Sequence, residues 1–284
     1  MSANLVVQLR EKTGAGILNC KMALEEAGGD LNKATEILRK KGLADAAKRS
    51  GRTTKEGLIF STIQPDGKKG SLLELNCETD FVAKTEDFQK LANQLTQKIL
   101  SSSVSDTSLP EQADLKELVQ QLGSKVGENL LFRRATRFSL QKPGILYAYI
   151  HSDNKKGALI EVGCDKESSA KSPDLQQLAK ELALQIVGLP STRWTRKEDV
   201  PTEILEKEKE IYKQQALNEG KPAAAVEKMA EGKIKRFYQE CCLLEQASIR
   251  DSKITIPSMI QAVASKLGEA VMVRRFTRYQ LGGD

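Results

Sequence analysis

Apolar positions in the first 43 residues recur at helical intervals and are interrupted by turn signals. Leu5, Val6 and Leu9 share one face of a helix that Thr13-Gly14-Ala15-Gly16 breaks. A second helix carries Ile17, Leu18, Ala23, Leu24 and Ala27 as far as Gly28-Gly29. Asp30 is suited to cap a third, with Ala34, Ile37 and Leu38 inward and Gly42 as its stop. Such a three-helix module over residues 1–43 has little core to spare. Neighbouring helical residues point about 100° apart. Ile17 and Leu18 therefore leave two readings open, one side chain facing outward or both half-buried at the helix start.

Residues 44–56 break the periodicity and read as a basic linker, with Lys48, Arg49, Arg52 and Lys55 against Asp45. No aromatic side chain is interleaved there to stack on bases, so a solvated connector is favoured over a nucleic-acid patch.

From residue 57 the pattern alternates with a period of two, and it occurs twice. Gly57-Leu58-Ile59-Phe60-Ser61-Thr62-Ile63 aligns with Gly144-Ile145-Leu146-Tyr147-Ala148-Tyr149-Ile150 at an offset of 87. Lys68-Lys69-Gly70 then matches Lys155-Lys156-Gly157, and Leu73 to Cys77 matches Ile160 to Cys164. Two β-rich runs about a polar turn predict a hairpin in each copy. Thr85 and Ser172 follow as N-caps of helices bearing Phe88, Leu91 and Leu95, or Leu175, Leu178 and Leu182. A closing strand, Gly127 to Arg137, matches Gly268 to Arg278 at an offset of 141. The second copy thus holds 54 extra residues, placed at about 201–245. Pro201 and Pro222 open two helices there and Asn218-Glu219-Gly220-Lys221 turns between them. Ile204, Leu205, Ile211 and Tyr212 fall on the first, Val226, Met229 and Phe237 on the second. The reading is an α+β chain: a helical module, a linker, a first subdomain at 57–140 and a second at 141–284 with an inserted helical hairpin.

Differences between copies mark positions that a shared fold does not require. Glu78-Thr79-Asp80-Phe81-Val82-Ala83-Lys84 stands where the second copy has Asp165-Lys166-Glu167-Ser168-Ser169-Ala170-Lys171, so Phe81 becomes Ser168. The residues leave two roles open for Phe81, a packing staple and a partner contact. His151 stands where the first copy has Gln64, and is a surface histidine or a partner contact. The pairs Arg133-Arg134 and Arg274-Arg275 recur, which favours a structural role over an RNA site.

Composition removes several mechanisms. One histidine, His151, excludes a two-histidine metal site, and Cys20, Cys77, Cys164, Cys241 and Cys242 form no C-x-x-C pair. An odd, scattered cysteine set reads as reduced thiols, and so as a cytoplasmic protein. Apolar runs are too short for a bilayer and the charged Arg10, Glu11 and Lys12 come too early for a secretory leader. Neither phosphate-binding glycine motif is present, so no cofactor or bound nucleotide is expected. With 44 basic and 38 acidic residues the net charge of +6 permits an anionic partner without demanding one.

Two long segments resemble a known family. Leu9 to Lys21 is similar to the amino-terminal signature of bacterial elongation factor Ts proteins, and Asn76 to Ala83 to their second signature. Gly220-Lys221-Pro222 and Arg278-Tyr279 also fit, so the resemblance spans essentially the whole chain. It implies a UBA-like first module and a guanine-nucleotide exchange factor for elongation factor Tu, which would hold the nucleotide itself. It implies that Thr79, Asp80, Phe81 and Val82 enter the partner near its Mg2+ site, with His151 a nearby contact. Arg10, Ile17, Leu18 and Lys21 are implied to grip a helix of the partner. Membranes and nucleic acids are not implied as partners. On the residues alone, a basic RNA- or ribosome-binding accessory is the competing reading, and a hydrolase or transferase ranks last.

Overall fold

The computed structural model describes residues 3–220 and 222–283. Lys221, expected in the hairpin turn, lies outside them, as do Met1, Ser2 and Asp284.

Helices α1 (Ala3–Thr13), α2 (Ile17–Glu26) and α3 (Leu31–Arg49) form the first module. Gly28 and Gly29, both left-handed, close α2, and the Asp30 carboxylate accepts hydrogen bonds from the Asn32 and Lys33 amides at the start of α3. Leu9, Cys20, Ala23, Leu24 and Ala34 are buried between the three. Gly42 does not stop α3, which continues to Arg49 and takes in the first part of the expected linker. The reason is a crossing: a Cβ on Gly42 would lie 3.2 Å from Ser124 Oγ on α6 (Ala113–Val126). The residue is small to let two helices approach, and the Arg39–Glu117 ion pair at 2.8 Å fastens the same seam.

Each repeat builds a three-stranded antiparallel sheet. In the first, β1 (Glu56–Ile63), β2 (Lys69–Cys77) and β3 (Leu131–Ser139) lie in that order. The short α4 (Asp80–Ala83), α5 (Glu86–Ser101) and α6 cover it. Thr85 caps α5 as expected, its hydroxyl accepting from the Phe88 amide, and Phe88, Leu95, Ile99 and Leu115 bury against Leu73 and Leu75. In the second, β4 (Gly144–Ile150), β5 (Lys156–Cys164) and β6 (Val271–Gln280) repeat the order under α7 (Pro173–Gly188) and α10 (Ile256–Leu267). Ser172 caps α7 through the Asp174 amide.

The two sheets meet face to face through Ile59, Leu72, Phe138, Leu146, Leu159 and Tyr279. The central strands β2 and β5 are therefore buried on both sides, by helices on one and by the opposite sheet on the other. A Cβ on Gly70 would meet the Leu159 side chain, and one on Gly157 would lie 2.6 Å from Ile150 Cδ1 and 3.1 Å from Ile59 Cγ2. That close approach accounts for the repeated Lys-Lys-Gly. The arginine pairs are spent inside the fold. Arg133 and Arg134 bind buried Glu74 at 3.0 and 2.7 Å, and Arg274 and Arg275 bind buried Glu161 at 3.1 and 2.7 Å. Both glutamates sit where the register of their sheet shifts.

The insertion forms α8 (Thr202–Asn218) and α9 (Ala223–Cys241), each preceded by the expected proline. Ala216, Val226, Ala230 and Ile234 are buried, and Trp194, Phe237, Tyr238 and Cys242 anchor the base. Ile211 stays outside, 43% exposed, because the seam takes its neighbours on α8 instead.

Candidate functional site

The turn from β2 into α5 is short and heavily bonded. Cys77 ends the strand, with its thiol donating to the Thr79 carbonyl. Burial, and then the negative charge of Glu128, push that thiol up to about 12. Thr79 caps α4: its hydroxyl accepts from the Val82 amide at 3.4 Å and donates to Glu128 Oε1 at 2.5 Å. Within α4 the side chains divide. Ala83 is buried and Val82 packs against the first core, whereas Phe81 is 79% exposed. Asp80 bonds Lys84 Nζ at 2.6 Å, which holds its carboxyl below the ordinary range. A one-turn helix thus spends its inner face on anchorage and leaves an aromatic ring in solvent. Local packing, one of the two roles open for Phe81, is not what the ring does.

His151 follows β4 at the tip of the β4–β5 hairpin. Its amide donates to the Lys156 carbonyl at 2.9 Å, and Nδ1 lies 3.3 Å from the Tyr149 hydroxyl. The tip leans on the first sheet, since the Ile59 amide donates to the Asn154 carbonyl at 2.7 Å and Lys155 pairs with Glu56. Among the described residues no hydrogen bond joins His151 to the 79–82 turn. Lys155, on the same hairpin tip, adds a minor contribution to lowering the Asp80 carboxyl, after Lys84.

In the first module α2 turns Cys20, Ala23 and Leu24 inward and Ile17, Leu18 and Met22 outward. Ile17 and Leu18 are 59% and 69% exposed, so neither takes the half-buried position the sequence left open. Ile17 lines a shallow, largely apolar groove with Val6, Val7, Arg10, Lys21 and Lys125. Arg10, Ile17 and Lys21 are thus brought together, and Leu18 stands beyond them with Met22 one turn further along α2. Val7 and Met22 were not singled out from the sequence, although their placement one turn from charged or exposed neighbours carried the signal.

The model of the family described as Elongation factor TS matches residues 78–283. A curated elongation factor Ts from Clostridium botulinum strain Alaska E43 is 45% identical over 99% of this chain and 93% of its own length. One from Symbiobacterium thermophilum is 42% identical over 99% and 92%.

The chain belongs to the elongation factor Ts family.

That makes it a bacterial translation elongation factor. The family match starts at Glu78, immediately before the Thr79–Val82 turn, and takes in β3, the whole second sheet and the hairpin. The elongation factor Ts relatives cover the first module as well. Among the described residues no cluster of three or more His, Cys, Asp or Glu side chains is placed to hold a metal, and no helix is long and apolar enough to cross a membrane.

Proposed function

We propose that this chain binds elongation factor Tu in its GDP-bound form and in its nucleotide-free form, and speeds the release of GDP so that GTP can enter. The observation that carries the reading is Phe81, an aromatic side chain held 79% in solvent by a turn whose other residues are anchored. Exposing a large ring costs stability that a shared scaffold does not require, and the sister copy has a serine there. A partner pocket that buries the ring recovers it, and buried aromatics dominate interface energetics.

GDP is held by its phosphates and by Mg2+, which demands near-ideal octahedral geometry. A wedge beside such a site needs only a small displacement to weaken it. Phe81 supplies the wedge, Thr79 and Val82 set its base, and Asp80 offers a carboxylate beside it. His151 reaches the same domain from the second copy. The groove and the apolar face of α2, with Arg10, Ile17, Leu18 and Lys21, grip a partner helix. Linkage gives the direction: whatever factor lowers GDP affinity is the factor by which GDP lowers affinity for the chain, so exchange runs either way and abundant GTP decides. No bond is made or broken, so the chain is an exchange factor and has no catalytic residue. It acts in the cytoplasm, without a membrane or nucleic-acid partner.

The test loads elongation factor Tu with fluorescent GDP and follows its loss in excess unlabelled nucleotide. Release accelerated by the chain is expected, and an unchanged release rate at saturating chain would refute the reading.

A further inference from the structure

We propose that Glu128 is a positioning residue for Phe81, acting through Thr79; this rests on the reading of Phe81 as the exchange element. Glu128 follows α6 and its carboxylate spans the base of the 79–82 turn. One oxygen, Oε2, accepts from the Glu78 and Thr79 amides, each at 3.1 Å, and Oε1 accepts from the Thr79 hydroxyl at 2.5 Å. That hydroxyl in turn accepts from the Val82 amide and so starts α4. Three donors on the residues just before Phe81 are fixed by one carboxylate. Charge-assisted bonds of this kind are short and directional.

The second copy separates what the scaffold needs from what the first copy adds. In both copies the residue after the strand ties back to the segment just before the closing strand. Glu78 Oε1 accepts from the Asn129 amide at 2.6 Å, and Asp165 Oδ2 accepts from the Ala270 amide at 3.1 Å. The other tie is not shared. Glu269 is the counterpart of Glu128, yet among the described residues its two buried carboxylate oxygens accept no hydrogen bond. Lys166 Nζ, replacing the Thr79 hydroxyl, stands 3.9 Å away, and the Glu269 side chain is 3% exposed. The glutamate persists in both copies, but its hydrogen bonds to the turn exist only in the copy that bears the ring, the second copy keeping a 3.9 Å ion pair to Lys166. A bond required merely to fold this motif would be present twice.

A ring fixed before encounter loses less freedom when it docks, and a wedge misplaced by a fraction of an ångström loses its effect. Glu128 is half-buried, and both of its carboxylate oxygens are engaged by the turn. Its loss is therefore expected to lower the rate at which bound chain expels GDP more than it lowers binding.

The experiment measures fluorescent-GDP release from elongation factor Tu over a range of full-length chain concentrations, giving a maximal rate and a half-saturating concentration. Glu128→Gln and Thr79→Val are each expected to lower the maximal rate about tenfold, the equivalent of one hydrogen bond to a charged acceptor. The half-saturating concentration should move less than about twofold. Thr79→Ser, which keeps the hydroxyl, should restore the parent rate, and Glu269→Gln should leave it unchanged. Should Glu128→Gln fail to fold, the Thr79→Val and Thr79→Ser pair carries the same test. The positioning role is overturned if those variants keep the parent maximal rate, shift only half-saturation, or are matched by Glu269→Gln. Phe81→Ala, run alongside, keeps the two readings apart: if it too releases GDP at the parent rate, the reading of Phe81 as the exchange element fails, and if it alone slows release, only the role of Glu128 is lost.

Discussion

Glu74 and Glu161 lie 87 residues apart in the chain and each is buried at a register shift, gripped by two consecutive arginines. A carboxylate removed from water is tolerated only with such partners. Glu74→Gln removes the charge and leaves Arg133 and Arg134 to find solvent, which their partial exposure allows. A loss of about 3 kcal/mol, the low end for breaking a buried pair, is expected as a lower urea midpoint at unchanged slope.

The face-to-face sheets predict an intolerance at Gly157. A methyl group there meets Ile150 and Ile59 from opposite sheets, and the Tyr149 carbonyl, which is backbone, at 3.2 Å. Gly157→Ala should cost about 1–3 kcal/mol by overpacking, read by thermal or urea unfolding.

Phe81→Ala should leave the melting temperature within a degree or so of the parent, because the ring has few contacts of its own to lose. The same variant should weaken stimulated GDP release by on the order of 2 kcal/mol, roughly thirtyfold. A melting temperature that falls with the exchange rate would mean the ring packs at home.

Leu18→Asp should act on the other term. The side chain is exposed, so folding is expected to change by less than about 0.5 kcal/mol. The half-saturating concentration in the exchange assay should rise, while release from the saturated complex stays near the parent rate.

Cys77 gives a pH dependence with a definite sign. Its thiol is raised from an ordinary 9.0 to about 12, so the folded chain keeps it neutral where the unfolded chain would ionise it. The stability it contributes is complete below pH 9.0 and is lost as pH rises from there to about 12. Urea midpoints of the parent should therefore fall relative to Cys77→Ser as the pH climbs through that window.

Much of this fold was legible in the sequence because duplication doubles each signal. Thr85 and Ser172 both cap, and the stripes Phe88–Leu91–Leu95 and Leu175–Leu178–Leu182 both cover a sheet. Phe81 stood out through its mismatch with Ser168. Gly42 misled, since a glycine that ends a helix and one that lets another helix pass are the same letter, and only the position of Ser124 distinguishes them. Glu128 was hidden for the opposite reason: comparing copies for differences passes over a glutamate present in both, and its distinct bonding appears only in space.

Since Ile59, Leu72 and Phe138 are shielded by Leu146, Leu159 and Tyr279, neither half of the twinned body is self-sufficient. A fragment cut near residue 140 would bare a greasy wall to water, and its nearest match in shape would be another such fragment. What began as a doubling of sequence has become mutual dependence, and excising one half for study would yield something stickier and less defined than the whole.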